Sequence, residues 1–141
     1  VGGARRSGVI IEQRAGHEVM AAHDAPETLH YLDPPYVHST RSWRSNRRGV
    51  GCSVYRHEMD DAAHAELLAF LHTLQGMIVL SGYPSPIYDQ ALPEWRRVEK
   101  EALADGARPR IEILWINPAA ADALADARQR REAGPLFEVA A

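Results

Sequence analysis

The four residues Asp33-Pro34-Pro35-Tyr36 constrain this chain more than any other feature. They follow Leu29-His30-Tyr31-Leu32, a short apolar run with the character of a β-strand. Proline has no N–H to donate and a fixed φ, so two in succession cannot continue a sheet ladder, and the strand must end at Asp33. A carboxylate is thereby set at the carboxyl end of a strand, ahead of a stiff backbone and an aromatic ring. In open α/β sheets ligands gather outside the carboxyl ends of the strands.

The motif has a chemical logic. An exocyclic amine on a nucleobase is a poor nucleophile, because its lone pair is delocalised into the ring. Accepting hydrogen bonds from both amine hydrogens draws the nitrogen out of conjugation, and the Asp33 carboxylate and the Pro34 carbonyl can do this side by side. The prolines add no N–H donor that would compete for those acceptors. Tyr36 can stack on a base extruded from a duplex, a contact worth about 1–3 kcal/mol. Asp33 need not be a strong base, since the amine becomes acidic only after alkylation. The bland alternative is a strand-terminating turn in which Asp33 accepts from nearby backbone.

The segment that follows favours the chemical reading. Between Asp33 and Glu58 there is no acidic residue, yet Arg41, Arg44, Arg47, Arg48 and Arg56 occur there with Tyr36, Trp43 and Tyr55 interleaved. Arginine with aromatic side chains suits a phosphate backbone and an exposed base. Arg41, Trp43, Arg44, Arg47 and Arg48 are therefore candidate nucleic-acid contacts.

Around these motifs the sequence spells an α/β chain. Val9-Ile10-Ile11 predicts a strand, and Gly16–His23 a helix ended by Pro26. Asp60 and Asp61 supply capping chemistry for a helix over Ala62–Leu74, with Leu67, Phe70, Leu71 and Leu74 as its buried face and Gln75-Gly76 as its stop. Met77–Leu80 is the next strand, closed by Ser81-Gly82. Strand, helix and strand with a long excursion predict a parallel crossover. Trp95–Glu101 is a weaker strand and Arg110–Asn117 a stronger one. With Asp105-Gly106 between them they predict an antiparallel hairpin at one sheet edge. Ala119–Glu132 reads as a terminal helix.

Composition narrows the class. The 141 residues are 45% hydrophobic and 25% charged, proportions of a single globular domain rather than of a disordered chain. No apolar run reaches the roughly 20 residues that span a bilayer. The single Cys52 excludes a disulfide framework and a cysteine zinc cluster, and with no leader-like segment it predicts a cytoplasmic protein. Seven histidines include no His-x-x-x-His pair, so no metal site is expected. His64 is expected to pack within the fold, and Trp95 and Trp115 to be core residues. Cys52 has no identifiable partner base. The net charge of −3 says little about partners until it is resolved along the chain.

Taken together, Tyr31-Leu32-Asp33-Pro34-Pro35-Tyr36, His57-Glu58-Met59, His64, Leu80-Ser81-Gly82-Tyr83, Tyr88-Asp89, Trp95 and Glu112-Ile113-Leu114-Trp115-Ile116-Asn117-Pro118 resemble the catalytic half of Dam-type DNA adenine methyltransferases, in the style of phage and prophage members. The likeness runs from about Val9 to Pro118. The Asp-Pro-Pro-Tyr box is shared by amino-methyltransferases generally, and the later landmarks narrow it. The resemblance implies transfer of a methyl group from S-adenosylmethionine to the N(6) amine of a flipped adenine in double-stranded DNA. On it, Asp33, Pro34, Pro35 and Tyr36 are catalytic, Asp33, Ser81 and Gly82 are cofactor contacts, and Tyr83 joins the DNA contacts. The implied fold is part of a Rossmann-like S-adenosylmethionine-dependent methyltransferase, with parallel strands and an antiparallel edge hairpin.

The family's Phe-x-Gly-x-Gly cofactor turn does not occur in this sequence, nor does the lysine-bearing segment ahead of it. The chain opens at Val1 rather than Met, so residues 1–141 are expected to be one partial domain whose cofactor-binding half lies upstream. Two other readings follow from the same residues: a non-catalytic DNA-binding remnant of a decayed prophage methylase, and an amino-methyltransferase acting on cytosine, RNA or protein. The recognition sequence, the oligomeric state and the setting (restriction–modification, phage or regulatory) are left open by the sequence.

Overall fold

Two strands run side by side in the same direction at one side of the sheet. A computed structural model of the chain describes residues 8–35, 37, 59–104 and 108–134. Strand β1 (Leu29–Leu32) pairs in parallel with β2 (Met77–Gly82), Leu29 opposite Met77 and Leu32 opposite Leu80. Helix α1 (Gly16–His23) precedes β1, and α2 (Asp61–Leu71) lies on the connection between the two strands. Parallel neighbours need such a long crossover.

After β2 come the short helix α3 (Pro86–Ala91), the hairpin strands β3 (Arg96–Ala104) and β4 (Arg108–Ile116), and helix α4 (Pro118–Glu132). The sheet order is β1-β2-β4-β3, with β4 antiparallel to both its neighbours. The architecture is mixed α/β, a parallel pair extended by an antiparallel hairpin at one edge. The residues of the predicted hairpin turn, Asp105 and Gly106, lie outside the described residues.

Alternation across the sheet separates two faces. Ile78 and Leu80 of β2 and Ile113 and Trp115 of β4 are almost fully buried, and with Leu68 and Leu71 of α2 and Tyr88 of α3 they form the core. Ser81 after Leu80, Leu114 between Ile113 and Trp115, and Val98 opposite Leu114 on β3 belong to the other face; the first two are partly covered and Val98 is exposed. Gly82 is needed for close approach: a Cβ there would lie 3.3 Å from the Trp115 ring.

Several expectations are corrected. Val9, Ile10 and Ile11 form no strand and are 63%, 80% and 93% exposed. A β-branched run has nothing to gain from extension without a ladder partner or a face to bury. Helix α2 stops at Leu71, so Leu74 lies beyond it, and its fully buried stripe is His64, Leu68 and Leu71 rather than Leu67 and Phe70. Gly76 is not a left-handed cap; a Cβ there would meet the Thr28 and Ala25 carbonyl oxygens at 2.9 and 3.0 Å. Ser81 and Gly82 belong to β2 rather than closing it, and Trp95 precedes β3 as a buried core residue. Helix α3 was not anticipated, although Ser85-Pro86 carries an N-cap and N1 signal.

Polar side chains bind the elements together. Asn117 Oδ1 accepts from the Ile78 and Ala120 amides, each at 2.9 Å, and Asn117 Nδ2 donates to the Gly76 carbonyl at 3.0 Å. One buried side chain thus caps α4 and fixes the start of β2. Asp24 works at the same end of the parallel pair, tying the start of β1 to the residues just before β2. Its carboxylate accepts from the Gln75 and Gly76 amides at 2.8 and 2.9 Å and lies 3.3 Å from His30 Nε2. The Gln75 amide foremost, then the Gly76 amide and His30, hold the Asp24 carboxyl below its usual range, against the opposing effect of desolvation.

Candidate active site

Asp33 stands immediately after β1, and its side chain is exposed. Pro34 and Pro35 follow it, half-buried, and Val37 returns the chain to the core at 3% exposure. Anchored on both sides, the Asp-Pro-Pro turn presents its carboxylate from a fixed point at the strand end.

The carboxylate is steered by the neighbouring strand. The Ser81 hydroxyl lies 3.0 Å from Asp33 Oδ1 and 3.2 Å from the Leu32 carbonyl oxygen, sharing its single proton between them. Asp33 Oδ2 accepts no hydrogen bond among the described residues. Among the described residues, one oxygen is thus held and the other is not.

Asp33 and Ser81 open onto a cleft of about 350 Å³ on the sheet face opposite the core. Its floor is apolar, made by Tyr31, Val98 and Leu114, and Gly82 and Ile113 contribute backbone. Asp33 lies at one end of this cleft; at the other are Lys100 and Glu112, which face each other in the β3–β4 register. Tyr31 is 64% exposed, so an aromatic face is open to a flat ligand.

Tyr83 follows directly on β2 and is engaged by Arg110 of β4. The guanidinium carbon lies 5.2 Å from the centre of the Tyr83 ring, and Arg110 Nη1 donates to the Tyr83 hydroxyl at 2.8 Å. This pairing combines a cation over a ring face with a charge-assisted hydrogen bond.

Of the residues singled out in the sequence, Asp33, Ser81 and Gly82 are therefore brought to one cleft, with Pro34 and Pro35 behind Asp33. Tyr36, Arg41, Trp43, Arg44, Arg47, Arg48, Cys52 and His57 lie outside the described residues. His64, Tyr88, Asp89 and Trp115 are knit into the scaffold on the other face. Tyr88 Oη lies 2.9 Å from His64 Nδ1, the Tyr88 and Trp115 rings meet edge to face at 4.9 Å, and Trp115 Nε1 donates to Asp89 Oδ1 at 3.2 Å. Burial pushes the Tyr88 hydroxyl up to about 12, so it remains a neutral partner in this network. Lys100 and Arg110 are not singled out by the sequence, and Tyr31 and Glu112 enter it only as landmarks of the resemblance, not as site residues. The strand alternation that puts Val98 and Lys100 on one face was legible, but not which strands lie beside β3.

A second, shallower hollow on α4 is lined by Asp126, Gln129, Arg130 and Ala133 and holds none of these residues. Among the described residues no group of three or more His, Cys, Asp or Glu side chains is arranged to hold a metal ion. Nor is any described helix long and apolar enough to cross a membrane.

No protein-family model matches the chain, and no curated protein or solved structure is significantly similar to it.

Proposed function

We propose that this chain is the catalytic portion of a DNA adenine methyltransferase, acting on the exocyclic amine of adenine. The observation that carries this reading is the setting of Asp33: an exposed carboxylate at a strand's carboxyl end, one oxygen held by Ser81, the other open beside an apolar cleft. A planar base fits such a cleft. Its amine would donate one hydrogen to Asp33 Oδ2 and the other to the Pro34 carbonyl, releasing the lone pair from the ring. Ser81 keeps the carboxylate from rotating as the amine changes geometry, and preorganised acceptors of this kind act where charge develops. Tyr31, exposed on the cleft floor, adds an aromatic surface for the base.

The sheet supports the same reading. A parallel pair whose second strand leads into an antiparallel edge hairpin is the part of a Rossmann-like methyltransferase that the resemblance implies.

In that reaction S-adenosylmethionine supplies the methyl group. The described residues do not by themselves compose its site: they include no glycine-rich turn between a strand and a helix, and Gly82 is occupied by its approach to Trp115. On this reading the residues present serve the amine side of the transfer.

The test is methylation in cells. The protein carrying this sequence is expressed in a host devoid of adenine methylation, and genomic DNA is assayed for N(6)-methyladenine. Asp33→Ala should abolish the signal while far-UV dichroism and thermal unfolding stay unchanged, since Asp33 is exposed. Undiminished methylation in that variant overturns the assignment.

A further inference from the structure

The far end of the cleft carries charge that the amine chemistry does not use. Lys100 is the only lysine of the chain. In the β3–β4 register it faces Glu112, and Arg110 lies one pleat further along β4, opposite Ala102. Lys100 and Arg110 are thus diagonal neighbours on one sheet face, a relation that spans about 7–8 Å. Arg110 is held over the Tyr83 ring, whereas Lys100 forms no ion pair with Glu112 or any other described residue. Lys100 and Glu112 thus line the end of the cleft opposite Asp33, with the Arg110 guanidinium beside them.

Polarity and length together define a ligand. β1 and β3 are separated by β2 and β4, and strands lie about 4.8 Å apart, so the cleft crosses about 14 Å of sheet. An amine-bearing base against Asp33 would project its sugar across Leu114 and Val98, towards the reach of an extended lysine. We propose that Lys100 binds the 5′-phosphate of the nucleotide whose base is held at Asp33, so that the cleft takes one adenine nucleotide of a DNA strand lengthwise. This rests on the amine-binding reading of Asp33 given above. Lys100 supplies the charge, and Arg110, fixed by Tyr83, strengthens the positive field beside it. Glu112 disfavours a second anion and keeps the site from acting as a general sink for polyanions.

Binding by the full chain tests the assignment. Two-dimensional NMR titrations use deoxyadenosine, deoxyadenosine 5′-monophosphate and inorganic phosphate as probes, with the wild type, Lys100→Ala and Lys100→Arg. The monophosphate should bind the wild type about tenfold more tightly than deoxyadenosine, the scale of one charge-assisted contact. Lys100→Ala should erase that preference and leave deoxyadenosine affinity unchanged; Lys100→Arg should retain most of it. Equal binding of the two adenine ligands by the wild type overturns the inference, as does a preference that survives Lys100→Ala. Inorganic phosphate binding as tightly as the monophosphate also overturns it, since the anion site would then owe nothing to the base. The parent reading fails separately, in the cellular methylation assay with Asp33→Ala, so the two results are distinguishable.

Discussion

Ser81 lies in β2 and Asp33 directly follows its parallel neighbour β1, and a hydroxyl–carboxylate hydrogen bond of 3.0 Å joins them. The carboxylate that the Asp-Pro-Pro turn presents is therefore not a freely rotating surface group but one with a chosen orientation. Ser81→Ala removes that constraint and little else. Methylation should fall about tenfold, the kinetic equivalent of about 1.4 kcal/mol, while stability changes by no more than about 1 kcal/mol. Turnover and thermal melts on the same preparations check both halves of the statement, and an unchanged rate would show that Asp33 needs no help from β2.

Gly82, one residue further along, answers to packing. A methyl group there would sit 3.3 Å from the Trp115 ring, which is 1% exposed and already against Tyr88. Gly82→Ala should destabilise the fold by about 1–3 kcal/mol, the usual cost of overfilling a packed core. Denaturant titration followed by tryptophan fluorescence measures it.

Asn117 joins three elements with one amide. Asn117→Ala strips α4 of its cap and leaves the buried Ile78 amide and Gly76 carbonyl without their partner. A loss of about 2–4 kcal/mol is expected. Asn117→Asp should recover part of it, because a carboxylate still accepts from Ile78 and Ala120 but cannot donate to Gly76.

Asp24 makes stability depend on acid. Its folded carboxyl is held below its ordinary value of 3.8 by the Gln75 and Gly76 amides and His30. A depressed folded value means that the contribution is present above the unfolded value and is lost as pH falls through the folded one. In Asp24→Asn an amide nitrogen faces a backbone donor. The stability gap between wild type and variant should hold from neutral pH to about pH 5 and narrow steadily below pH 4. A gap that stays constant down to pH 2 would show that the carboxylate charge is not what joins the two loops.

How much of this could be seen in advance varies by element. The Asp33 strand end was legible because Pro34 and Pro35 act locally, through a missing donor and a fixed φ. Helix α1, bounded by Pro26, the alanine-rich α4 after Pro118, and the core placement of Trp95 and Trp115 were legible from equally local signals. Val9–Ile11 misled because β-branched residues favour extension without supplying a partner. The buried stripe of α2 was misplaced because Leu67, Leu68, Phe70 and Leu71 are all apolar, so the helix has two competing faces and the sheet chooses between them. His64 is buried on the chosen face because Tyr88, on a helix the sequence reading had missed, offers it a hydrogen bond.

The sequence alone determined where the first strand of the sheet stops, and with it the position of the Asp33 carboxylate, because proline chemistry needs no distant partner. Only tertiary structure decided that Ser81 would orient that carboxylate, and that β4 would insert between β2 and β3 to bring Lys100 to the far end of the same cleft. Strand order and register arise from pairings between residues remote in the chain. A local pattern can show which residues share a face of one strand, but not which strand will lie beside it.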